Sequence, residues 1–328
     1  MSTSASSTPS ATPAPTPAPT SGGATTRMIA VLAHDRAPLV AALATAATTL
    51  LLLQLGSGHT PSSRRFAALP EFDVWIWVYA AEAGAAAALG IAALPAFLRL
   101  ANAMGRSVTV RVVTMWPALG ILMVFFGPRA LDEHNPLWLG FARYTTINAA
   151  TWAFITPCFA GLLLVHTRVA ALTRETTTAV AQGTAGALVE ELLWLRTAMQ
   201  RFLTAFAAAI TGGMLALGAL RSAMLANGTP AGQLPVLRLL TYGGVFTATS
   251  ALLFVPAYVA WQSSVSAMRD ALHPVPVDGR PPHDWVEARA DFDTLLDARS
   301  TAGRVLTAVF SVLAPLVGTV VTALFAAR

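Results

Sequence analysis

The sequence has no lysine, a single cysteine and few charges: Asp, Glu and Arg together make up 11% of its 328 residues. A soluble domain carries about 25% charged residues. With 55% hydrophobic residues and a mean hydropathy of +0.60, the composition excludes an ordinary soluble enzyme, a disordered chain and a disulfide scaffold. Cys158 stands alone in an apolar stretch, so no intrachain disulfide can form. The net charge is +5, but the 21 arginines lie scattered between apolar stretches. That pattern lacks the clusters that track phosphates, which argues against nucleic acid and leaves anionic lipid as the counter-charge. The absence of lysine beside abundant Ala, Gly and Pro matches GC-rich bacterial coding and points to a bacterial plasma (inner) membrane.

Chemical motifs are equally scarce. No GxSxG elbow, Walker phosphate loop or GxGxxG fingerprint occurs. The six histidines lie in connections or near span ends, and none pairs at i, i+4, so no cofactor or metal is expected. Asp132-Glu133-His134 sits just before Pro136 and reads as a solvated turn. The Glu190-Glu191…Arg196 pattern departs from the paired-glutamate motif of CAAX-type intramembrane proteases. Four residues separate Glu191 from Arg196 where that family has three, and no later span carries a histidine. The alternative is a salt-bridged surface helix with Glu ahead of Arg.

What is present is long apolar runs, and the fold class read from them is all-α, polytopic and membrane-integral. Crossing the hydrocarbon takes about 20 apolar residues as helix. Seven segments qualify or nearly do: 38–56, 74–98, 108–127, 137–165, 202–220, 235–261 and 305–325. Lipid cannot satisfy open backbone groups, so helices are required, and none of the runs alternates as a barrel strand would. The third is the weakest because Arg111 lies in its first turn. The fourth is long enough to tilt, or to begin only near Ile147. Residues 1–36 form a Pro/Ala/Ser/Thr-rich tail that cannot bury enough apolar area to order itself, and residues 37–328 form one helical transmembrane domain. Met28 is a second candidate start, and the first apolar run lacks the cleavage site of a signal peptide.

Arginine placement orients the chain. With the N-terminus inside, fourteen arginines fall on the cytoplasmic side and seven outside, giving an N-in, C-out expectation. Trp75, Trp77, Tyr79, Trp138, Tyr258 and Trp261 stand at span ends, where aromatic residues anchor the interface.

Two cytoplasmic connections carry helical periodicity. Residues 185–201 form an amphipathic helix that runs into the fifth span. After the breaker 273–282, Asp284 and Glu287 read as a capping box for a second helix over 285–299. Both helices are expected on the membrane surface or against each other, and they are the expected sites for protein partners. Pro95, Pro157 and Pro256 recur in a Pro-small-aromatic-aliphatic order in the second, fourth and sixth spans. Three related hairpins would explain that echo, and so would chance.

One residue stands apart. Glu82 lies eight positions into the second span, roughly 12 Å deep and close to the midplane. An ionised group there costs at least about 2.5–3.5 kcal/mol, so it must be protonated, paired or wet. Arg143 and Asn148 on the fourth span are the expected partners, Arg143 by depth and Asn148 in reserve. Two functions follow. The first is a non-catalytic interaction or sensing module. The second is a small transporter or channel using Glu82 as an ion or proton site, with Asn148, Thr151, Thr241 and Thr247 among the few groups able to line a path.

Overall fold

The structure is a computed structural model that describes residues 36–56, 61–115, 141–276, 279–296 and 302–325. The expected tail over 1–35 and the Asp132–His134 turn lie outside those residues. The described chain is all-α. Its helices are α1 (Ala37–Gly56), α2 (Pro61–Ala67), α3 (Pro70–Met104), α4 (Phe141–Ala181), α5 (Ala185–Ala226), α6 (Val236–Leu272), α7 (His283–Leu295) and α8 (Ala302–Phe325). A short 3-10 turn, Ala231–Gln233, joins α5 to α6.

Five of these helices are long and apolar enough to cross a membrane: α1, α3, α4, α5 and α6. Of the other two expected spans, the third is helical over 106–115, and its remainder lies outside the described residues. The seventh is α8, whose described apolar stretch is Ser311–Val321.

Local chemistry sets the boundaries. α3 opens with Pro70 in its first turn and carries Glu71 and Asp73 there, where the helix dipole favours negative charge. It ends at Gly105, whose φ of +80° turns the chain directly into the helical stretch 106–115. α4 and α5 each end in a Schellman motif. Thr184 N–H donates to Ala179 O and Gly183 N–H to Val180 O, and Thr229 and Gly228 repeat the pattern on Met224 and Leu225. Gly183 and Gly228 hold the left-handed position this requires, at φ +70° and +93°. Pro95, Pro157 and Pro256 all lie inside helices that continue past them.

The bundle packs by close approach of small residues. A methyl on Gly84 would stand 2.7 Å from Ala42 O of α1, and one on Gly90 would stand 2.0 Å from Phe154 O of α4. One on Gly243 of α6 would meet Thr319 Oγ1 of α8 at 2.0 Å, and one on Gly318 of α8 would meet Thr211 Cγ2 of α5 at 3.0 Å. α8 therefore wedges between α5 and α6. Two apolar clusters fill the interior. A smaller one joins Phe66, Phe72, Trp75, Tyr79, Ile147, Leu220 and Met224 at the α2 end. A larger one runs from Ala86 through Phe159, Phe202 and Trp261 to Leu296 at the opposite end. α3 and α4 share both clusters in the same order, so they run parallel, and α5 runs against them.

The three longest helices far exceed the hydrocarbon thickness. α4, α5 and α6 have 41, 42 and 37 residues, or about 55–63 Å at 1.5 Å per residue, against a core of about 30 Å. The sequence places residues 166–181 in a connection, but they are helix, continuous with the fourth span. Residues 185–201 are continuous with the fifth span as expected. They pack against α4 and α6, and Arg196 reaches Leu296 O at the end of α7, so of the two expected placements the contacts favour the one against the second helix.

Candidate functional site

Glu82 is buried at 7% exposure on the side of α3 that faces α5. It sits where the two apolar clusters meet. Tyr79 and Ala83 belong to one cluster and Ala86 to the other. Opposite lies the pair Gly212-Gly213. A methyl on Gly212 would stand 3.1 Å from Glu82 Cγ, and one on Gly213 would stand 3.8 Å from Glu82 Oε1. The missing side chains leave room for the carboxyl. Among the described residues no hydrogen bond or ion pair reaches it.

α3 and α4 are neighbours, and the Gly90–Phe154 contact fixes their register. Stepping back eight residues on each parallel helix brings Glu82 level with Thr146. Arg143 and Asn148 flank that level, within one turn on either side. Asn148 is half-buried and makes no hydrogen bond to Glu82. The Arg143 side chain lies outside the described residues. Of the expected path-lining groups, Thr241 turns its hydroxyl onto Leu237 O of its own helix at 2.8 Å. The hydroxyls of Thr151 and Thr247 are buried and unbonded.

The second polar feature is a crown at the opposite end from α2. It is built from the extended parts of α4, α5 and α6 together with α7. Arg168 of α4 grips Glu191 of α5 with two parallel bonds, Nε to Oε1 at 2.7 Å and Nη2 to Oε2 at 2.8 Å. Its Nη1 also reaches Glu175 at 3.1 Å. This corrects the expectation of a salt-bridged surface helix: the Glu191 carboxylate crosses to a neighbouring helix. The Thr173 and Ser264 hydroxyls bond to each other, and Ser264 also donates to Val169 O at 3.2 Å. Trp261 of α6 donates its indole N–H to Leu192 O at 3.1 Å. Three arginines lie over indole rings, Arg99 above Trp194 at 4.0 Å, Arg196 above Trp261 at 5.6 Å and Arg289 above Trp285 at 4.6 Å.

α7 is fixed to the end of α6 largely by charge. Arg269 Nη1 meets both Asp293 oxygens at 3.2 Å, and Arg289 pairs with Asp270. Arg289 also donates to His273 O at 2.8 Å, and Trp285 donates to Pro274 O at 2.8 Å. Arg196 Nη1 bonds Leu296 O at 3.0 Å, so α5 holds the other end. The expected capping box does not form. Pro282 is the N-cap in extended backbone, the helix starts at His283, and Asp284 lies within the first turn without a side-chain cap bond. Glu287 instead pairs with His283 Nδ1 at 3.3 Å. The helix runs to Leu295 rather than 299, and residues 297–301 lie outside those described.

Among the described residues, His283, Asp284 and Glu287 form the one group of three potential metal ligands, with donor atoms within 4.8 Å. All three are solvated, and they sit at the positive end of a helix, which disfavours a cation. An open cleft of about 600 Å³ lies in the elbow between α4 and α5. Arg174, Glu175, Thr178, Gln182 and Thr184 line its rim, and Ala171, Ala179, Ala187 and Leu188 line its floor. Depth along the sequence located Glu82, but the crown was missed in part. Its α4 segment, with Arg168, Thr173, Arg174 and Glu175, reads as a polar connection.

No protein-family model matches the chain, and no curated protein or solved structure is similar to it.

Proposed function

We propose that the chain is a non-catalytic, multi-pass protein of a bacterial plasma membrane, with a cytoplasmic crown that serves interaction or sensing. The observation that supports this is the continuation of three long apolar helices, as unbroken helix, into a layer locked by cross-helix ion pairs. That layer presents an open cleft with polar and apolar lining at the α4–α5 elbow. No nucleophile–base pair lies beside it among the described residues. The arginine count places this end inside. Two fusions test the placement: alkaline phosphatase is active only outside the cytoplasm, so it should work at Arg328 and fail at Thr184. Photo-crosslinkers at Gln182 and, as control, at Leu237 then test the role. A reproducible partner at Gln182 that is lost in Glu191→Arg supports the reading. Identical products at both positions refute it.

The buried Glu82 carboxyl opposite Gly212-Gly213 favours a second reading, an ion or proton site in a small transporter or channel. A pH-dependent flux in proteoliposomes that disappears in Glu82→Gln would support it. Flux that is absent, or unchanged by the substitution, would sink it.

A further inference from the structure

Arg221 is a buried cation short of a counter-charge. It lies near the end of α5, at the α2 end of the bundle, with 8% of its surface exposed. Its Nε donates to Leu234 O at 2.8 Å. Its Nη1 is buried and has no acceptor, and among the described residues no carboxylate contacts the group. Arginine stays charged at any physiological pH, so it cannot relieve burial by losing a proton. Charged groups are almost never buried this deeply without a partner.

Three features of the surroundings point to one kind of partner. The Arg221 neighbours Leu220 and Met224 pack in the same cluster as Phe66 of α2, which is flanked by exposed Arg64 and Arg65. This end is therefore rich in guanidinium groups. Val74 of α3 and Leu237 of α6, two helices that pack on α5, expose apolar surface at the same end. Arg221 also directly follows the residues 202–220 that the sequence assigns to the fifth span, so it lies at headgroup depth. A planar fork of N–H donors beside apolar surface matches a phosphate ester carrying acyl chains, since the fork can hold two phosphate oxygens at once.

We propose that Arg221 anchors the phosphodiester of an anionic phospholipid, whose chains lie on the apolar surface beside Val74 and Leu237. Protein atoms cover Nη1, so docking requires the guanidinium to rotate outward.

The test uses the full-length protein, purified in detergent and stripped of lipid. Retention of phosphatidylglycerol and of phosphatidylcholine is read by native mass spectrometry and by thermal shift, with inorganic phosphate as a third arm. The wild type should retain one phosphatidylglycerol in preference to phosphatidylcholine, and phosphate alone should not raise the melting temperature. Arg221→Gln should weaken phosphatidylglycerol retention about tenfold, the loss of one strong charge-assisted contact. Arg174→Gln, in the crown cleft, should leave it unchanged. Equal retention in Arg221→Gln, or an equal loss in Arg174→Gln, overturns the proposal. Stabilisation by phosphate as strong as by lipid overturns it in favour of a free-anion site. If Arg221→Gln does not fold, the wild type still decides, because no preference for the anionic lipid refutes the site.

Discussion

The Gly90→Ala substitution should separate two helices. A methyl at position 90 would stand 2.0 Å from Phe154 O, 2.8 Å from its carbonyl carbon and 3.2 Å from its Cα. All three are backbone atoms inside α4, so no side chain can turn away. Bringing the oxygen to the about 3.3 Å of a normal carbon–oxygen contact means moving α3 and α4 apart by roughly 1 Å. A gap of that size forfeits a quarter to a half of each affected van der Waals contact. Overpacking in a core costs about 1–3 kcal/mol, and the rigid neighbour places this case at the upper end, about 3 kcal/mol. Gly244 is the internal control. It lies in the third turn of α6, and a methyl there meets nothing within 4 Å. Gly244→Ala should gain helix propensity, up to about 1 kcal/mol. Thermal unfolding of both variants in one detergent, followed by size-exclusion chromatography, gives the comparison. Gly90→Ala should melt well below the wild type and Gly244→Ala at or above it. Equal melting temperatures would show that α3 and α4 do not approach as closely as described.

Four further outcomes can be measured. In a double-mutant cycle, Arg168→Gln and Glu191→Gln should couple by about 1–2 kcal/mol, with less coupling at high salt, because the grip is two-pronged and half-buried; additive effects would refute it. Asp284→Ala should change stability by less than about 0.5 kcal/mol, because Asp284 makes no cap bond. Arg289→Ala should loosen α7, seen as faster amide exchange over 283–295, since it removes the Asp270 pair and the His273 bond together; equal exchange in the variant and the wild type would refute the clamp. If Glu82 and Arg143 pair, Arg143→Ala should cost about 3–5 kcal/mol and sharply lower folded yield, and adding Glu82→Ala should restore part of it. No recovery in the double variant would end the pairing.

Apolar run length was enough to find the long helices, because crossing lipid leaves the backbone few options. Position along the second span singled out Glu82, which the structure buries. What it faces was not legible, because the opposing Gly212-Gly213 lies about 130 residues away and reads as a generic small face. The extension of α4 through Arg168, Arg174 and Glu175 was hidden for a related reason. Its charges look like loop chemistry until α5 supplies Glu191. The capping box failed on a local competitor. Pro282 holds its own φ at −67° and serves as N-cap, so the helix starts one residue before Asp284. The expected pairing of Glu with a following Arg in one helix gave way to a tertiary pair, which distant sequence does not announce.

The unbroken course of α5 also makes it a lever. Gly212, against Glu82, and Leu192, bonded to Trp261 in the crown, lie on one rod, about 30 Å apart at 1.5 Å per residue. A tilt of roughly 5° pivoting near Gly212 would carry the far end sideways by about 2.5 Å over that span. The indole bond to Leu192 O and the Arg168–Glu191 grip span 3.1 Å and 2.7 Å, so a shift of that size is enough to break either. A change in how tightly the buried Glu82 carboxyl seats against the glycines would, if it tilted α5, be geared up without a hinge into a shift at the crown bonds.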